Sequence, residues 1–213
     1  MYKLLIFDWD GTLADSTSHI VECLEAASNK MQAPFPGREA AKNIIGLGLS
    51  EAIIELFGIE DELFVDSFKE AYSAQFLLAE ITRSGLYPGV IDMLVGLREA
   101  GYLTAIATGK SRRGMDRALK AMEMCAYFDA VRCADETRSK PDPLMLQELL
   151  EKFSLQPHEA VMVGDTEYDM EMAMRLGMDR VAMSHGAHQV SRLQKYQPVA
   201  VANNVAELQE LFL

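Results

Sequence analysis

Residues 3–16 read KLLIFDWDGTLADS. Leu4, Leu5, Ile6 and Phe7 form an apolar run too short for a helix. Bounded by Tyr2 and by the polar turn after Asp8, the run reads as a strand buried on both faces. Two carboxylates, Asp8 and Asp10, follow with one residue between them, and Gly11 comes directly after. In an open α/β sheet ligands sit at the carboxyl ends of the strands. A glycine there permits close backbone approach to a ligand, or a conformation closed to other residues. Two acids so close need a compensating partner, most simply a hard cation held by oxygen ligands.

One pair of acids at a strand end can simply cap a turn. Three later stretches change the reading: ATGK at Ala107–Lys110, SKPDP at Ser139–Pro143 and VGDTEYD at Val163–Asp169. The first and last each follow a short apolar run. With these four motifs in this order, the chain resembles the haloacid dehalogenase-like hydrolases, in particular the phosphoglycolate-phosphatase-like branch. The resemblance covers essentially the whole chain. It is specific for fold and mechanism and much less so for substrate.

Outside the motifs, 213 residues suffice for one generous core, or a core plus a modest second domain. Hydrophobic residues make up 49%, as in an ordinary globular protein. The net charge of -12 argues against nucleic acid or an anionic membrane surface as partner. An acidic protein that handles an anionic small molecule must concentrate positive charge locally. Cys23, Cys125 and Cys133 form neither a disulfide framework nor a metal cluster, and read as buried small hydrophobes in a reducing compartment. The amino terminus enters a strand without a basic, apolar leader, so a cytoplasmic location is expected. No window is long and apolar enough to span a bilayer. The expected assembly is a monomer or homodimer.

After the first strand the periodicity becomes helical. Asp15–Met31 carries Ile20, Val21, Leu24 and Ala27 on one stripe, and Pro34 and Pro36 end it. Arg38–Ile45 and Glu51–Phe57 are short helical runs, the second capped by Ser50 and closed by Gly58. Ile59–Ile81 is long and helical, with Phe64, Phe68, Tyr72 and Phe76 stacked on one face as an aromatic core seam. No strand pattern occurs between Asp15 and about Ser84, so residues 15–84 read as an inserted helical unit. It resembles the family's cap.

Residues 1–14 and 85–213 then read as one discontinuous core. Pro88 suits the first turn of a helix running to Ala100. Strands are expected at Tyr102–Ala107, Phe128–Val131, Ala160–Val163 and Arg180–Met183. Helices are expected at Ser111–Met124, from Pro143 to Phe153 with Asp142 as cap, at Glu167–Leu176 and at Gln189–Tyr196. Asn204 and Glu207 form a capping box for the last helix. The fold class is α/β: a Rossmann-like, mostly parallel sheet covered on both faces, with an all-helical cap inserted. The 13 methionines read mostly as core filler.

The resemblance assigns chemistry to the motifs. Asp8 is the nucleophile, forming an aspartyl-phosphate that divides one hard hydrolysis into two easier steps. Asp10 is the general acid and then the base, and its carbonyl is a metal ligand; its plainer role would be to hold the turn. Thr108, with the Gly109 and Lys110 amides, makes a phosphate cradle at a helix start. Lys140 serves Asp8 and the phosphate as a point charge. Mg²⁺ is the expected cofactor, held by Asp8, the Asp10 carbonyl and Asp165, with Asp169 behind them or ligating through water. The absence of cysteine and histidine from that set disfavours zinc.

Gly11, Gly109 and Lys110 are also counted as substrate-facing, with Lys110 open between substrate contact and surface charge. Gly46, Leu47 and Gly48 read either as a plain interhelical turn or as the cap's substrate loop. His19 either looks onto the pocket or packs within the cap. His185 and His188 receive no role. The implied activity is a phosphomonoesterase acting on a small phosphorylated metabolite such as phosphoglycolate. A sugar phosphomutase shares the core motifs, and a non-catalytic phosphate binder is the alternative of another class. Dehalogenases lack the second aspartate that is present here as Asp10. Phosphonate hydrolases carry a cap lysine, for which Lys30, Lys42 and Lys69 stay open.

Overall fold

A computed structural model of the chain describes residues 2–78 and 85–213. In chain order its elements are β1 (Leu4–Phe7), α1 (Thr17–Lys30), α2 (Arg38–Asn43), α3 (Leu49–Phe57), α4 (Glu62–Leu78), α5 (Val90–Glu99), β2 (Leu103–Thr108) and α6 (Arg112–Ala121). Then come β3 (Ala130–Cys133), α7 (Leu144–Phe153), β4 (Ala160–Gly164), α8 (Glu167–Arg175), β5 (Asp179–Met183), α9 (Val190–Leu193), β6 (Ala200–Ala202) and α10 (Val205–Glu210). All strand pairings are parallel, in the order β3-β2-β1-β4-β5-β6. This is an α/β, Rossmann-like sheet.

β1 is central, paired with β2 on one side and β4 on the other, so that Phe7 is level with both Ile106 and Val163. That register brings Asp8, Thr108 and Asp165 to one edge of the sheet although they lie far apart in sequence. Leu5 and Phe7 enter one apolar layer with Val90, Met93, Leu97 and Leu119, whereas Leu4 and Ile6 enter the other with Met145, Leu149 and Met172. Alternation across a strand dictates this split, and both layers being buried explains the uninterrupted apolar run. Trp9, buried in the first layer and packed edge-to-face with Phe128, anchors the turn between the two acids.

Helices α1 to α4 share their own apolar cluster, built on Val21, Leu24, Ile45, Ile53, Val65 and Phe68. Two short segments join this region to the sheet. They run side by side, Asp15 N–H donating to Gly85 O at 2.9 Å and Tyr87 N–H to Leu13 O at 3.0 Å. The expected end of the insert at Ser84 and of its long helix at Ile81 lie outside the described residues.

Several boundaries differ from expectation for local reasons. The third helix starts at Leu49 with Gly48 as its N-cap, two residues before the expected cap Ser50. The helix after the insert starts at Val90, because Pro88 and Gly89 form a turn that delays it. Asp61 caps α4 by accepting the Phe64 amide at 2.8 Å, so Ile59 stays outside the helix. The third strand lies two residues later, at Ala130–Cys133. β6 is an unanticipated short edge strand, paired only with β5. Cys23 and Cys133 are buried as expected, but Cys125 is exposed in a single-turn helix.

Candidate active site

At the carboxyl edge of the sheet, Asp8, Lys140, Asp165 and Asp169 are each no more than 1% exposed. Lys140 Nζ is 2.8 Å from Asp8 Oδ1 and donates to Asp169 Oδ1 at 2.6 Å. Its approach to Asp8 is close but not along a hydrogen-bond direction, and both Asp8 oxygens lack an aligned donor. A buried carboxylate without donors is costly. Burial pushes the Asp8 carboxyl well up from its ordinary value, against the pull of Lys140 and with a further push from Asp169 and Asp165. Burial and the Asp169 charge likewise lift Asp165, to about 7. For Lys140, burial opposes the charged form, but Asp169 and Asp8 outweigh it and hold the ammonium protonated.

The remaining acids have been given defined positions. Asp165 accepts the Thr12 hydroxyl at 2.7 Å on one oxygen and the Ala187 amide at 2.7 Å on the other. Gly11, at φ +84°, makes this possible, since a Cβ there would lie 2.3 Å from Asp165 Oδ2. Asp169 is the N3 residue of α8 and accepts the Thr166 hydroxyl at 2.7 Å and the Thr166 amide at 3.0 Å, closing a capping box. Asp10 accepts Ser16 Oγ at 2.6 Å and both its oxygens receive Lys110 Nζ, at 2.9 and 2.7 Å. The Lys110 ammonium also stands 4.7 Å from the centre of the Phe76 ring.

A cavity of about 290 Å³ opens over Asp8 and Asp10, between the sheet edge and the helical insert. Thr108, Gly109 and Lys110 form part of its wall, as do Gly46 and Leu47. Gly109 is pressed against that loop: a Cβ there would lie 2.4 Å from Leu47 O and 2.6 Å from Gly46 O. Gly48 does not line the cavity; its amide donates to Ser139 Oγ at 2.8 Å, beside Lys140.

Gly11 departs from its expected place, His19 takes its packing alternative, and the aromatic seam is present but not confined to the core. Gly11 makes room for Asp165 and is not on the cavity wall, because its amide is turned back to Ala14 O. His19 packs on the Phe76 ring, with centroids 5.0 Å apart, and on Cys23, so helix phase carries it off the wall. Tyr72 and Phe76 belong to the aromatic seam, yet they also face the cavity and are more than core filler. Thr12, Ser16 and the Ala187 amide were not singled out. Thr12 and Ser16 stand inside the opening stretch, where hydroxyls two and six residues past the second acid were the available signal; the Ala187 amide left none.

His185 stacks on Tyr87 at 3.8 Å, and its Nε2 lies 3.3 Å from Thr12 O. His188 is buried; Nδ1 accepts the Glu167 amide and Nε2 lies 3.2 Å from Asn43 O at the end of α2. Burial lowers both imidazoles from their ordinary values. Both serve as struts around the acids, His188 reaching from the sheet side to the insert.

Asp8, Asp165 and Asp169 each offer a carboxylate oxygen, all within 4.8 Å of one another. Three carboxylates facing one lysine, with Asp8 lacking donors, fit a hard divalent cation bound by oxygen. Among the described residues no helix is long and apolar enough to cross a membrane.

A doubly wound sheet thus carries a buried acid cluster at its carboxyl edge, facing a cavity and a lysine. The family model of the haloacid dehalogenase-like hydrolases matches residues 5–183, and the chain belongs to that family. It is 32% identical over 213 residues to a Dickeya dadantii protein named "Probable phosphatase IndB", covering 98% of this chain and 92% of that one. It is 29% identical to the phosphoglycolate phosphatase of Vibrio vulnificus strain YJ016, covering 99% and 96%. A solved haloacid dehalogenase-like hydrolase of Bacteroides fragilis superposes with a TM-score of 0.89 at 25% identity, covering 98% and 100%. The chain is a phosphatase of the phosphoglycolate-phosphatase-like branch.

Proposed function

We propose that the enzyme is a magnesium-dependent phosphomonoesterase that hydrolyses a small phosphorylated metabolite through an aspartyl-phosphate on Asp8. The observation that carries this reading is Asp8 itself: buried at the cavity floor, with Lys140 Nζ 2.8 Å from Oδ1 and no hydrogen-bond donor on Oδ2. A carboxylate so placed is free to attack.

In the first step an Asp8 oxygen forms a bond to phosphorus as the ester P–O bond breaks. Asp10 gives its proton to the departing alcohol oxygen. In the second step water attacks the phosphorus, Asp10 takes the proton, and the bond to Asp8 breaks, restoring the carboxylate. Lys110 and Ser16 fix the Asp10 carboxylate from two sides. Thr108 Oγ and the Gly109 amide are candidates for the phosphate cradle, and Lys140 holds positive charge beside the reacting centre. Asp8, Asp165 and the Asp10 carbonyl would hold Mg²⁺, with Asp169 fixing Lys140 and the start of α8. Bound there, the ion would neutralise phosphoryl charge.

The insert that carries α1 to α4 acts as a cap that excludes water and reads the rest of the substrate. Free cysteines suit a cytoplasmic enzyme. Phosphoglycolate, named for several relatives, is the reference ester. The test is hydrolysis of p-nitrophenyl phosphate with added chelator and then Mg²⁺ or Zn²⁺. Activity lost with chelator and restored by Mg²⁺ supports the reading; full activity in chelator overturns the metal requirement.

A further inference from the structure

Little of the chamber above Asp8 is polar. Leu24 of α1, Ile45 and Leu47 of the loop between α2 and α3, Leu49 at the start of α3, and Tyr72 and Phe76 of α4 form the wall opposite the sheet edge. Leu24 and Ile45 are buried, so this surface is built into the insert's own core. The two lysines at the chamber are already engaged, Lys110 with Asp10 and Lys140 with Asp8 and Asp169. Arg113 and Arg117 of α6 also line the chamber, Arg113 exposed and Arg117 donating to Leu77 O at 3.3 Å.

A carboxylate placed among those side chains would lose hydration and meet a single neutral donor, the Tyr72 hydroxyl. A two-carbon acid would also leave most of about 290 Å³ unfilled. A dry apolar cavity of roughly 150 Å³ takes up benzene, so the chamber has room for a phosphoryl group together with a body of ring size. Tyr72 offers a single phenol there; burial and the nearby Asp10 charge keep it protonated, as a neutral donor.

We propose that the alcohol half of the substrate is a largely apolar body of about ring size, seated against α1, α4 and residues 45–49. This rests on the phosphomonoesterase reading above and departs from phosphoglycolate as its substrate. The surrounding apolar wall contributes binding in proportion to the area it covers, while the acids and lysines below handle the phosphoryl group alone.

The test compares kcat/KM of the magnesium-loaded enzyme for ethyl, butyl, hexyl and benzyl phosphates and for phosphoglycolate, all with unactivated leaving groups. The expected gain is about threefold to fourfold per methylene, with benzyl phosphate exceeding phosphoglycolate by roughly tenfold or more. Ala52→Phe, which fills the wall, should lower the benzyl-to-ethyl ratio by about tenfold, and Phe76→Ala should lower it too. A flat alkyl series, an unchanged ratio in both variants, or preference for phosphoglycolate that Arg113→Ala abolishes would overturn the inference and leave the phosphomonoesterase reading intact. No magnesium-dependent turnover of any ester, p-nitrophenyl phosphate included, would overturn both.

Discussion

Lys140 Nζ lies 2.6 Å from Asp169 Oδ1, and both side chains are cut off from solvent. The same ammonium is 2.8 Å from Asp8, so one cation offsets two buried carboxylates. Removing one partner from a buried ionic group typically costs about 3–5 kcal/mol. Lys140→Ala should therefore unfold at much lower urea than the wild type in chelator, in addition to losing turnover. Lys140→Ala combined with Asp169→Asn should recover part of that stability and none of the activity. Equal urea midpoints for Lys140→Ala and wild type would contradict the arrangement.

The position of Asp10 predicts a pattern in leaving groups. Asp10→Asn should reduce hydrolysis of alkyl phosphates by about 100-fold to 10,000-fold, the usual range for a lost proton donor, and aryl phosphates far less. Lys110→Gln should show a smaller loss of the same shape, because Lys110 binds both Asp10 oxygens. The slope of log kcat against leaving-group pKa measures this. An unchanged slope in Asp10→Asn would assign Asp10 to the turn alone.

Gly109 tests how tightly the insert's loop must close on the sheet edge. Gly109→Ala puts a Cβ against two backbone carbonyls, Leu47 O and Gly46 O, which cannot swing aside. Gly48→Ala meets first the end of the Glu51 side chain, at 2.5 Å, which can. The expected result is at least a tenfold fall in kcat/KM for Gly109→Ala and a much smaller one for Gly48→Ala.

The acid cluster also predicts how pH and metal combine. Burial and the Asp169 charge hold Asp165 at about 7, against an ordinary 3.8, so the fold prefers it protonated. Without metal, stability falls as the pH rises from about 4 through 7, because the unfolded chain releases that proton first. A cation bound by the carboxylate replaces the proton, so stabilisation by Mg²⁺ should grow across the same window. At a hundredfold excess over Kd the rise in Tm should be roughly 5–10 °C at pH 8, and much less at pH 5. Calorimetry at the two pH values checks the sign; an equal shift at both would contradict it.

The candidate site residues were legible because they cluster in short stretches at strand ends, as Asp8 with Asp10 and Asp165 with Asp169 show. The parallel sheet was legible from apolar runs alternating with amphipathic helices. What was hidden lay in long-range partners. Thr12 meets Asp165 across 153 positions and His188 meets Asn43 across 145, and neither leaves a local pattern. β6 is three residues of Ala and Val, half-exposed on one edge strand, too short for periodicity. His19 and Phe76 were separable only by helix phase against the sheet, which sequence spacing within each helix does not fix.

The central claim is that phosphoryl transfer passes through the Asp8 carboxylate. Enzyme turning over benzyl phosphate with Mg²⁺ can be quenched in acid, reduced with borohydride and digested for peptide mass spectrometry. An aspartyl-phosphate is reduced to homoserine under these conditions, so the account predicts homoserine at position 8, absent without substrate and absent in Asp8→Asn. Homoserine at position 10 instead, or an unmodified Asp8 in enzyme quenched during rapid turnover, would contradict it.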